Sequence, residues 1–196
     1  GVGGNGYVNN AVTAAAGANT TLIMLADGSL WSVGDNTRGQ LGSGSEDEYS
    51  ASIVSVSSIE NISSVAAGAY NAAAVTKDGN VYVWGDNTSR QIANLDYMAP
   101  DVTLAREPVV VLGPQRDSGT NKNLPLANIK SVVIGKSVAE DSGKRITTQL
   151  MALSNDGKLY GWGSNATNQL TNIASGGGVI STAAEIASPQ AGKGWL

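Results

Sequence analysis

The stretch Asp27-Gly28-Ser29-Leu30-Trp31-Ser32-Val33-Gly34-Asp35-Asn36 decides the fold, because the chain repeats its pattern twice more. The second copy occupies residues 78–87 and the third occupies residues 156–165. Each copy combines an Asp-Gly turn, a short alternating strand and a second glycine that precedes a polar residue and Asn. Twelve residues after the first glycine stands Gln40, Gln91 or Gln169. A register that three copies share indicates an internal repeat.

The spacing of the copies predicts the size of the repeating unit. The first glycines, Gly28, Gly79 and Gly157, are 51 and 78 residues apart. The difference of 27 residues equals two insertions, one of about sixteen residues within 95–127 and one of eleven within 136–147. What remains is a unit of about fifty residues with about four short strands, which is the size of a propeller blade.

We therefore predict an all-β fold of propeller-type repeat blades, each with about four antiparallel strands. Three blades are recognisable, within a single repeat domain or a segment of one. Three blades do not close a propeller, which takes about four to eight, so we expect a segment of a larger propeller or one that other subunits complete. The predicted boundaries are a lead-in at 1–13, blades at 14–64, 65–132 and 133–174, and a tail or the start of a further blade at 175–196.

The composition excludes several classes of function. The chain has no Cys and no His, which excludes disulfides, thiolate or imidazole metal sites and any His-based triad. A net charge of −4 argues against general nucleic-acid binding. No apolar run approaches the ~20 residues of a membrane span. Charged residues make up only 14% of the chain and 25 residues are Gly, a composition from which we expect a cell-surface, extracellular or virion location.

The repeated residues resemble a known family. The pattern Ala-Ala-Gly, Asp-Gly-x-Val-Tyr-x-Trp-Gly-Asp-Asn and Gln-Leu-Gly is similar to the regulator of chromosome condensation repeat, a blade of usually seven-bladed propellers. The copies lie at about 14–42, 65–93 and 133–171. The first copy departs from the pattern at Val33, where the family has Trp. By analogy the resemblance implies a guanine-nucleotide exchange factor for a small GTPase, or a protein inhibitor like the β-lactamase-inhibiting propeller of the family.

We interpret the repeated residues as structural rather than functional. The first glycine of each copy serves the turn, and the second allows close backbone approach or a bulge. The tryptophans are expected to pack between blades, and the asparagines to fasten turns. The set comprises Gly28, Gly34, Asn36, Gly79, Trp84, Gly85, Asn87, Gly157, Trp162, Gly163 and Asn165.

The candidates for contact with a partner interrupt the period or lie near residue 196. They are Arg106, Arg116, Lys122, Lys144, Arg145 and Trp195, and the alternative is that the charged ones are ordinary solvated loop charges. We predict a non-enzymatic protein-interaction or structural module, in which rigid blades present insertion loops to a protein partner or to further copies of an assembly.

No residues indicate a catalytic, cofactor or metal site. Glu46-Asp47-Glu48 offers carboxylates for calcium but lacks EF-hand or nonapeptide spacing, so calcium is not expected. Gly1-x-Gly3-x-x-Gly6 matches the dinucleotide fingerprint formally but lacks the strand before it and the helix after it. A propeller hydrolase with a carboxylate pair stays open as an alternative, although no two acids stand at matching inward-facing places.

Overall fold

The computed structural model describes residues 7–94, 97, 99, 101–135, 138–140, 145–170 and 178–186, with the backbone alone for 138–140 and 145–146. These residues form sixteen β-strands joined by turns and loops, and none of them lies in an α-helix. The predicted all-β class is therefore confirmed.

Twelve of the strands form three four-stranded antiparallel sheets, which we call blades 1, 2 and 3. Blade 1 contains β1 (Ala11–Ala16), β2 (Thr20–Leu25), β3 (Leu30–Asp35) and β4 (Tyr49–Ser55). Blade 2 contains β5 (Ile62–Ala67), β6 (Asn71–Thr76), β7 (Val81–Asp86) and β8 (Leu104–Val110). Blade 3 contains β11 (Ile129–Ile134), β14 (Gln149–Ser154), β15 (Leu159–Asn165) and β16 (Gly178–Glu185).

The other four strands form two hairpins that lie outside the blades. The first hairpin pairs β9 (Leu112–Arg116) with β10 (Asn123–Pro125) and follows blade 2. The second pairs β12 (Val138–Glu140) with β13 (Arg145–Thr147) and lies between β11 and β14.

The apolar residues of the blades pack into the junctions between blades. One cluster of buried side chains joins blades 1 and 2, with Leu22 and Met24 of blade 1 close to Ala72 and Ala74 of blade 2. A larger cluster joins blades 2 and 3. Because blade 2 lies between the other two, every residue of β6 is buried, as expected for a strand that is covered on both faces.

Each blade carries the same bulge at its second glycine. Gly34 lies two positions after Ser32 on β3, whereas their partners on β4, Ser50 and Val54, lie four positions apart, and blades 2 and 3 repeat this shift. In blade 2 the glycine is Gly85, whose φ is +99° and whose added Cβ would overlap the backbone oxygen of Tyr70. Only glycine tolerates both conditions.

The predicted insertion at 95–127 consists of two separate pieces. Val56 and Val111 are equivalent, since their N–H groups donate to the oxygens of Leu30 and Val81. The next equivalent pair of buried apolar residues is Ile59 and Leu126. Ile59 lies three positions after Val56, whereas Leu126 lies fifteen positions after Val111. Twelve residues are therefore inserted, and they form the β9–β10 hairpin. The remaining four residues lengthen the loop between β7 and β8. Strand β8 lies inside the predicted insertion but is the fourth strand of blade 2.

The second predicted insertion corresponds to the β12–β13 hairpin. The N–H of Gly68 donates to the oxygen of Asn71 three positions on, and the N–H of Gly135 donates to that of Gln149 fourteen positions on. Eleven residues are therefore inserted between β11 and β14.

The strands begin and end at points different from the predicted boundaries of the blades. Strand β1 begins at Ala11 rather than after a lead-in of thirteen residues. Residues 178–185, predicted as tail or further blade, instead form the outer strand of blade 3 and pair with β15. The strand has a weak signal in the sequence, since Val179 and Ile180 are its only adjacent large aliphatic residues.

Alanine substitution of two glycines, one at the bulge and one at an open turn, tests the role of the bulge. Gly157 has φ +83° and no atom within 4 Å of an added Cβ, so we expect Gly157→Ala to cost about 1 kcal/mol of stability from the left-handed backbone alone. Gly85→Ala adds an overlap with a backbone oxygen, and we expect it to cost about 3 kcal/mol or more. Urea unfolding of both variants measures the two costs, and equal costs would contradict the role of the bulge.

Candidate functional site

The turns and loops of the blades lie on two opposite faces of the molecule. Antiparallel pairing places alternate strand ends at the same edge of a sheet. The Asp-Gly turns and the connectors between blades share one edge, which we call the Asp-Gly face. There the N–H of Ile62 donates to the oxygen of Gly28 at 3.3 Å, and the N–H of Ile129 donates to that of Gly79 at 3.0 Å. The loops that follow Asn36 and Asn87 begin at the opposite edge, which we call the asparagine face.

The two hairpins therefore do not form one surface. The β9–β10 hairpin extends from the end of β8 on the Asp-Gly face and carries Arg116 and Lys122, both exposed. The β12–β13 hairpin lies on the asparagine face, and its backbone includes Arg145. Lys144, Trp195 and the side chain of Arg145 lie outside the described residues. The structure thus separates the predicted contact residues into two groups.

The turn of the β9–β10 hairpin is held in one conformation by a single carboxylate. Asp117 Oδ1 accepts hydrogen bonds from the N–H of Gly119 at 3.1 Å and from the N–H and Oγ1 of Thr120 at 2.7 and 2.8 Å. These bonds from Thr120 lower the pKa of Asp117. Arg116 Nη1 donates a hydrogen bond to the backbone oxygen of Asn121 at 3.2 Å, across the same turn. These hydrogen bonds define the conformation of the turn.

The base of the same hairpin is fixed to the blades. Asn123 Nδ2 donates to the oxygen of Gly113 at 2.6 Å, and the N–H of Leu126 donates to that of Val111 at 2.8 Å. The side chain of Leu126 is buried in the core between blades 2 and 3. Strand β9 also contacts β16, the outer strand of blade 3. The hairpin thus spans two blades.

Arg106 contacts a neighbouring loop of the same chain. Its Nη1 donates to the oxygen of Ser45 at 3.4 Å, and its own oxygen accepts from the N–H of Gly44 at 3.0 Å. The side chain is half-buried. Arg106 therefore joins the loop of blade 1 to the outer strand of blade 2.

The repeated asparagines hold the loops on the asparagine face. Asn36 is buried, and its Nδ2 donates to the oxygens of Ser45 at 3.1 Å and Asp47 at 2.7 Å. Its Oδ1 accepts from the N–H of Leu41 at 3.2 Å. Asn87 repeats this arrangement, donating to the oxygens of residues 97 and 102. Asn165 Oδ1 accepts a hydrogen bond from the N–H of Leu170 at 2.9 Å.

Each buried tryptophan forms a hydrogen bond with the preceding blade. Trp84 Nε1 donates to the oxygen of Gln40 at 2.9 Å, and Trp162 Nε1 donates to that of Gln91 at 2.9 Å. Both side chains are fully buried. The repeated Trp and Gln are thus two halves of one contact across each junction.

A buried carboxylate at the first junction was not singled out from the sequence. Asp86 Oδ2 accepts from the N–H and Oγ1 of Thr88 and from Gln91 Nε2, at 3.0, 2.7 and 2.8 Å. Its Oδ1 lies 3.6 Å from Nη1 of Arg38 in blade 1. Burial raises the pKa of Asp86, although these bonds and Arg38 oppose the rise. Its place after the repeated glycine was visible in the sequence, whereas its burial against Arg38 was not.

The acidic stretch at residues 46–48 takes part in the hydrogen bonds of its loop. Asp47 Oδ2 accepts from Oγ of Ser45 at 2.8 Å, and the Asp47 backbone oxygen accepts from Asn36. In the described part of the chain, no three or more Asp and Glu side chains form a group that could hold a metal ion. Within the same ranges, no helix is long and apolar enough to cross a membrane.

Family models match the first two copies of the repeat, and relatives match parts of the chain of different length. The regulator of chromosome condensation (RCC1) repeat matches residues 12–40 and 62–91, and a second description of the same repeat matches residues 27–75. The X-linked retinitis pigmentosa GTPase regulator of Mus musculus is 40% identical over 81 residues, which are 40% of this chain and 8% of that protein. The regulator of chromosome condensation of Homo sapiens is 38% identical over 76 residues, which are 39% of this chain and 18% of that protein.

Solved structures show the same fold over most of the chain. Prp20p from Saccharomyces cerevisiae aligns with a TM-score of 0.71 at 20% identity, over 93% of this chain and 39% of that chain. Human WBSCR16 aligns with a TM-score of 0.69 at 19% identity, over 90% of this chain and 39% of that chain. At such identities the likeness shows the fold alone, and it confirms that the three sheets are propeller blades.

The buried Asp86 makes stability depend on pH. Because the pKa of Asp86 is raised, its carboxyl group holds a proton more tightly in the folded protein than in the unfolded chain. The difference in bound protons appears at pH values between the ordinary pKa of 3.8 and the raised pKa. The free energy of unfolding therefore falls as pH rises through that range. We expect the free energy of unfolding of the wild type, minus that of Asp86→Asn, to fall as pH rises above about 4 and then level off. Urea unfolding at a series of pH values measures this difference.

Asp117→Asn serves as the control for this measurement. The pKa of Asp117 is lowered, so the stability that it contributes is present above its ordinary pKa and is lost only as pH falls below it. The free energy of unfolding of the wild type, minus that of Asp117→Asn, should therefore stay constant over the pH range in which the corresponding difference for Asp86→Asn falls. Parallel profiles for the wild type and Asp86→Asn would contradict the burial of a charged carboxylate at this junction.

Proposed function

This chain carries regulator of chromosome condensation repeats, and we propose that it is a non-enzymatic protein-interaction module that binds its partner through the β9–β10 hairpin. The observation that carries the proposal is the inserted hairpin itself. Blades 1 and 2 are joined without any such element, so the hairpin is not needed to connect two blades. Its turn is nonetheless fixed by the carboxylate of Asp117 and its base by Leu126.

The hairpin has the physical properties of a recognition loop on a rigid scaffold. A loop that is ordered before binding loses less conformational entropy in the complex, and more of the contact free energy then appears as affinity. The hydrogen bonds of Asp117 and Asn123 supply this order. The contact of β9 with β16 holds the hairpin against blade 3.

The charges of the hairpin indicate the chemistry of the partner. The two exposed cations at the turn, Arg116 and Lys122, outnumber the one ionised carboxylate, Asp117, which accepts hydrogen bonds from the turn's own N–H and hydroxyl groups. The tip therefore presents positive charge on a chain whose net charge is −4. An acidic protein surface complements this tip, and such complementarity favours fast and specific association.

A second candidate is the regulation of a small GTPase. The mouse relative is named as a GTPase regulator, and the structure of Prp20p is described together with its binding to Gsp1p and histones. The chain matches 8% of the first protein and 39% of the second. Their activities as whole proteins therefore enter here only as a proposal.

The exterior of a bacterium or a virion is the location that we propose, on composition alone. Antibody labelling of intact source cells or particles tests it, and labelling only after permeabilisation would argue against it.

Exchange of the hairpin charges tests the proposed function. We expect the wild-type chain to retain partner proteins from an extract of its source, and Arg116→Glu with Lys122→Glu to retain them about tenfold less or worse, because each reversal replaces attraction by repulsion. Quantitative mass spectrometry of the retained proteins measures the difference. The same partner, once purified, is then titrated against both forms.

Two further variants keep this experiment decisive. Lys77→Glu with Lys130→Glu changes the same amount of charge at exposed positions outside the hairpin and should retain the partner. Deletion of residues 113–124 shortens the connector to the length found between blades 1 and 2, so the fold should survive and the partner should be lost. Equal retention by all forms would refute the hairpin as the contact. If this chain accelerates nucleotide release from a small GTPase, and still does so after deletion of residues 113–124, the result would favour the second candidate.

A further inference from the structure

A cleft of about 110 Å³ lies between the β9–β10 hairpin and blade 3, on the Asp-Gly face. The hairpin contributes residues 113–115 and Pro125 to its lining, the connector that follows contributes residues 126–128, and β15 contributes Tyr160. Every wall of the cleft therefore belongs to described residues of blade 3 and of the segment that joins it to blade 2. Half of the eight lining residues belong to the inserted hairpin, which the shorter connector between blades 1 and 2 lacks.

The side chains around the cleft are largely apolar. Pro114, Pro125 and Ala127 are exposed, whereas Leu126 and Tyr160 are only 3% and 7% exposed and pack into the core between blades 2 and 3. Exposed apolar side chains thus surround apolar side chains that the core holds in place. A partner's aliphatic side chain in this cleft would remove apolar surface of both molecules from water, which favours binding.

The volume of the cleft limits the size of the group that it can hold. An apolar cavity of about 150 Å³ takes one benzene molecule. A cleft of about 110 Å³ is too small for an aromatic ring. It has room for one aliphatic side chain of the size of Val or Leu.

The hairpin side of the cleft carries cations. Arg116 follows Gln115 of the cleft lining along β9, and Lys122 precedes Asn123, the cross-strand partner of Arg116. These two cations face one carboxylate in the hairpin, that of Asp117. Since an extended chain advances about 3.3 Å per residue, an acidic residue within about three positions of a side chain in the cleft can reach these cations.

The opposite side of the cleft does not attract an acidic residue. Asn128 lines the cleft there, and its Nδ2 donates to Oδ1 of Asp156 at 3.4 Å. Lys158 and Glu185 form an ion pair at 3.4 Å, so they add no net charge. The unequal charges of the two sides therefore direct an acidic residue towards the hairpin.

We propose that this cleft holds one aliphatic side chain of the protein partner, next to an acidic residue that contacts Arg116 or Lys122. The inference rests on the proposed function, because it describes how the β9–β10 hairpin recognises its partner. The aliphatic side chain is the anchor of the contact, and the acidic residue orients it. Anchors of this kind, buried in a pocket, carry most of the affinity of many protein interfaces.

Short synthetic peptides test the proposal on the whole chain, with binding followed by nuclear magnetic resonance of isotope-labelled protein. The probes are acetyl-Asp-Asp-Leu-Gly-Gly-amide and the peptide of reversed order, since either chain direction can place the acidic residues beside the hairpin. The better probe should shift the amide resonances of Ala127, Asn128 and Tyr160. It should bind about tenfold more tightly than the same peptide with Gly or Trp in place of Leu. Asn in place of Asp should weaken binding and remove its dependence on salt.

Two glycine variants show whether the probe occupies the cleft. A Cβ added at Gly113 would lie 3.4 and 3.5 Å from Cα and Cδ1 of Leu126, which is ordinary contact, so Gly113→Ala should fold and fill part of the space beside Leu126. We expect Gly113→Ala to bind the better probe about threefold more weakly or worse, because the anchor loses room. Gly119→Ala makes the same change at the tip of the hairpin, outside the cleft, and should bind like the wild type.

The results separate this inference from the proposed function. Equal affinity for the Leu and Gly peptides would overturn the cleft as the site of the anchor and leave recognition by the charges of the hairpin in place. Shifts confined to residues outside the cleft, or no binding of either probe, would also overturn the inference. Loss of partner retention on exchange of the hairpin charges is measured without these peptides, so it tests the proposed function independently.

Discussion

The hydrogen bond from the indole of Trp84 to the oxygen of Gln40 is the contact on which the arrangement of the blades depends. The acceptor lies in a loop that Asn36 holds in place, and Gly42, at φ +69°, leaves room for the ring. Trp162 repeats the contact at the next junction. Asparagine, glutamine, glycine and tryptophan therefore recur together because each supplies one part of the same junction. A buried carbonyl without this donor would cost about 1–3 kcal/mol.

With the junctions fixed in this way, the segments that take no part in them can vary. Three loops of blades 2 and 3 are longer than their equivalents, by twelve, four and eleven residues, and none of the three interrupts a Trp–Gln contact. Two of these additions are hairpins on opposite faces of the molecule. Binding through the β9–β10 hairpin therefore leaves the asparagine face uncovered.

The sequence predicts those features that are local and repeated. The Asp-Gly turns, the second glycines and the four-stranded blades follow from residues close together in the chain, as does the repeat family. The burial of Asp86 depends on Arg38, and the contact of Arg106 depends on Ser45, 61 positions away. Such contacts have no local signal. Strand β16 was missed for a different reason, because Val179 and Ile180 are its only adjacent large aliphatic residues.

Hydrogen exchange of the tryptophan indoles tests directly whether the Trp–Gln contacts hold the blades together. Nuclear magnetic resonance follows each Nε1–H separately. The indole protons of Trp84 and Trp162, buried and bonded to the preceding blade, should exchange only when the whole domain unfolds. That of Trp31, half-buried and bonded to Oγ of Ser29 at 3.1 Å, should exchange much faster. Exchange of Trp84 and Trp162 as fast as that of Trp31 would contradict the account.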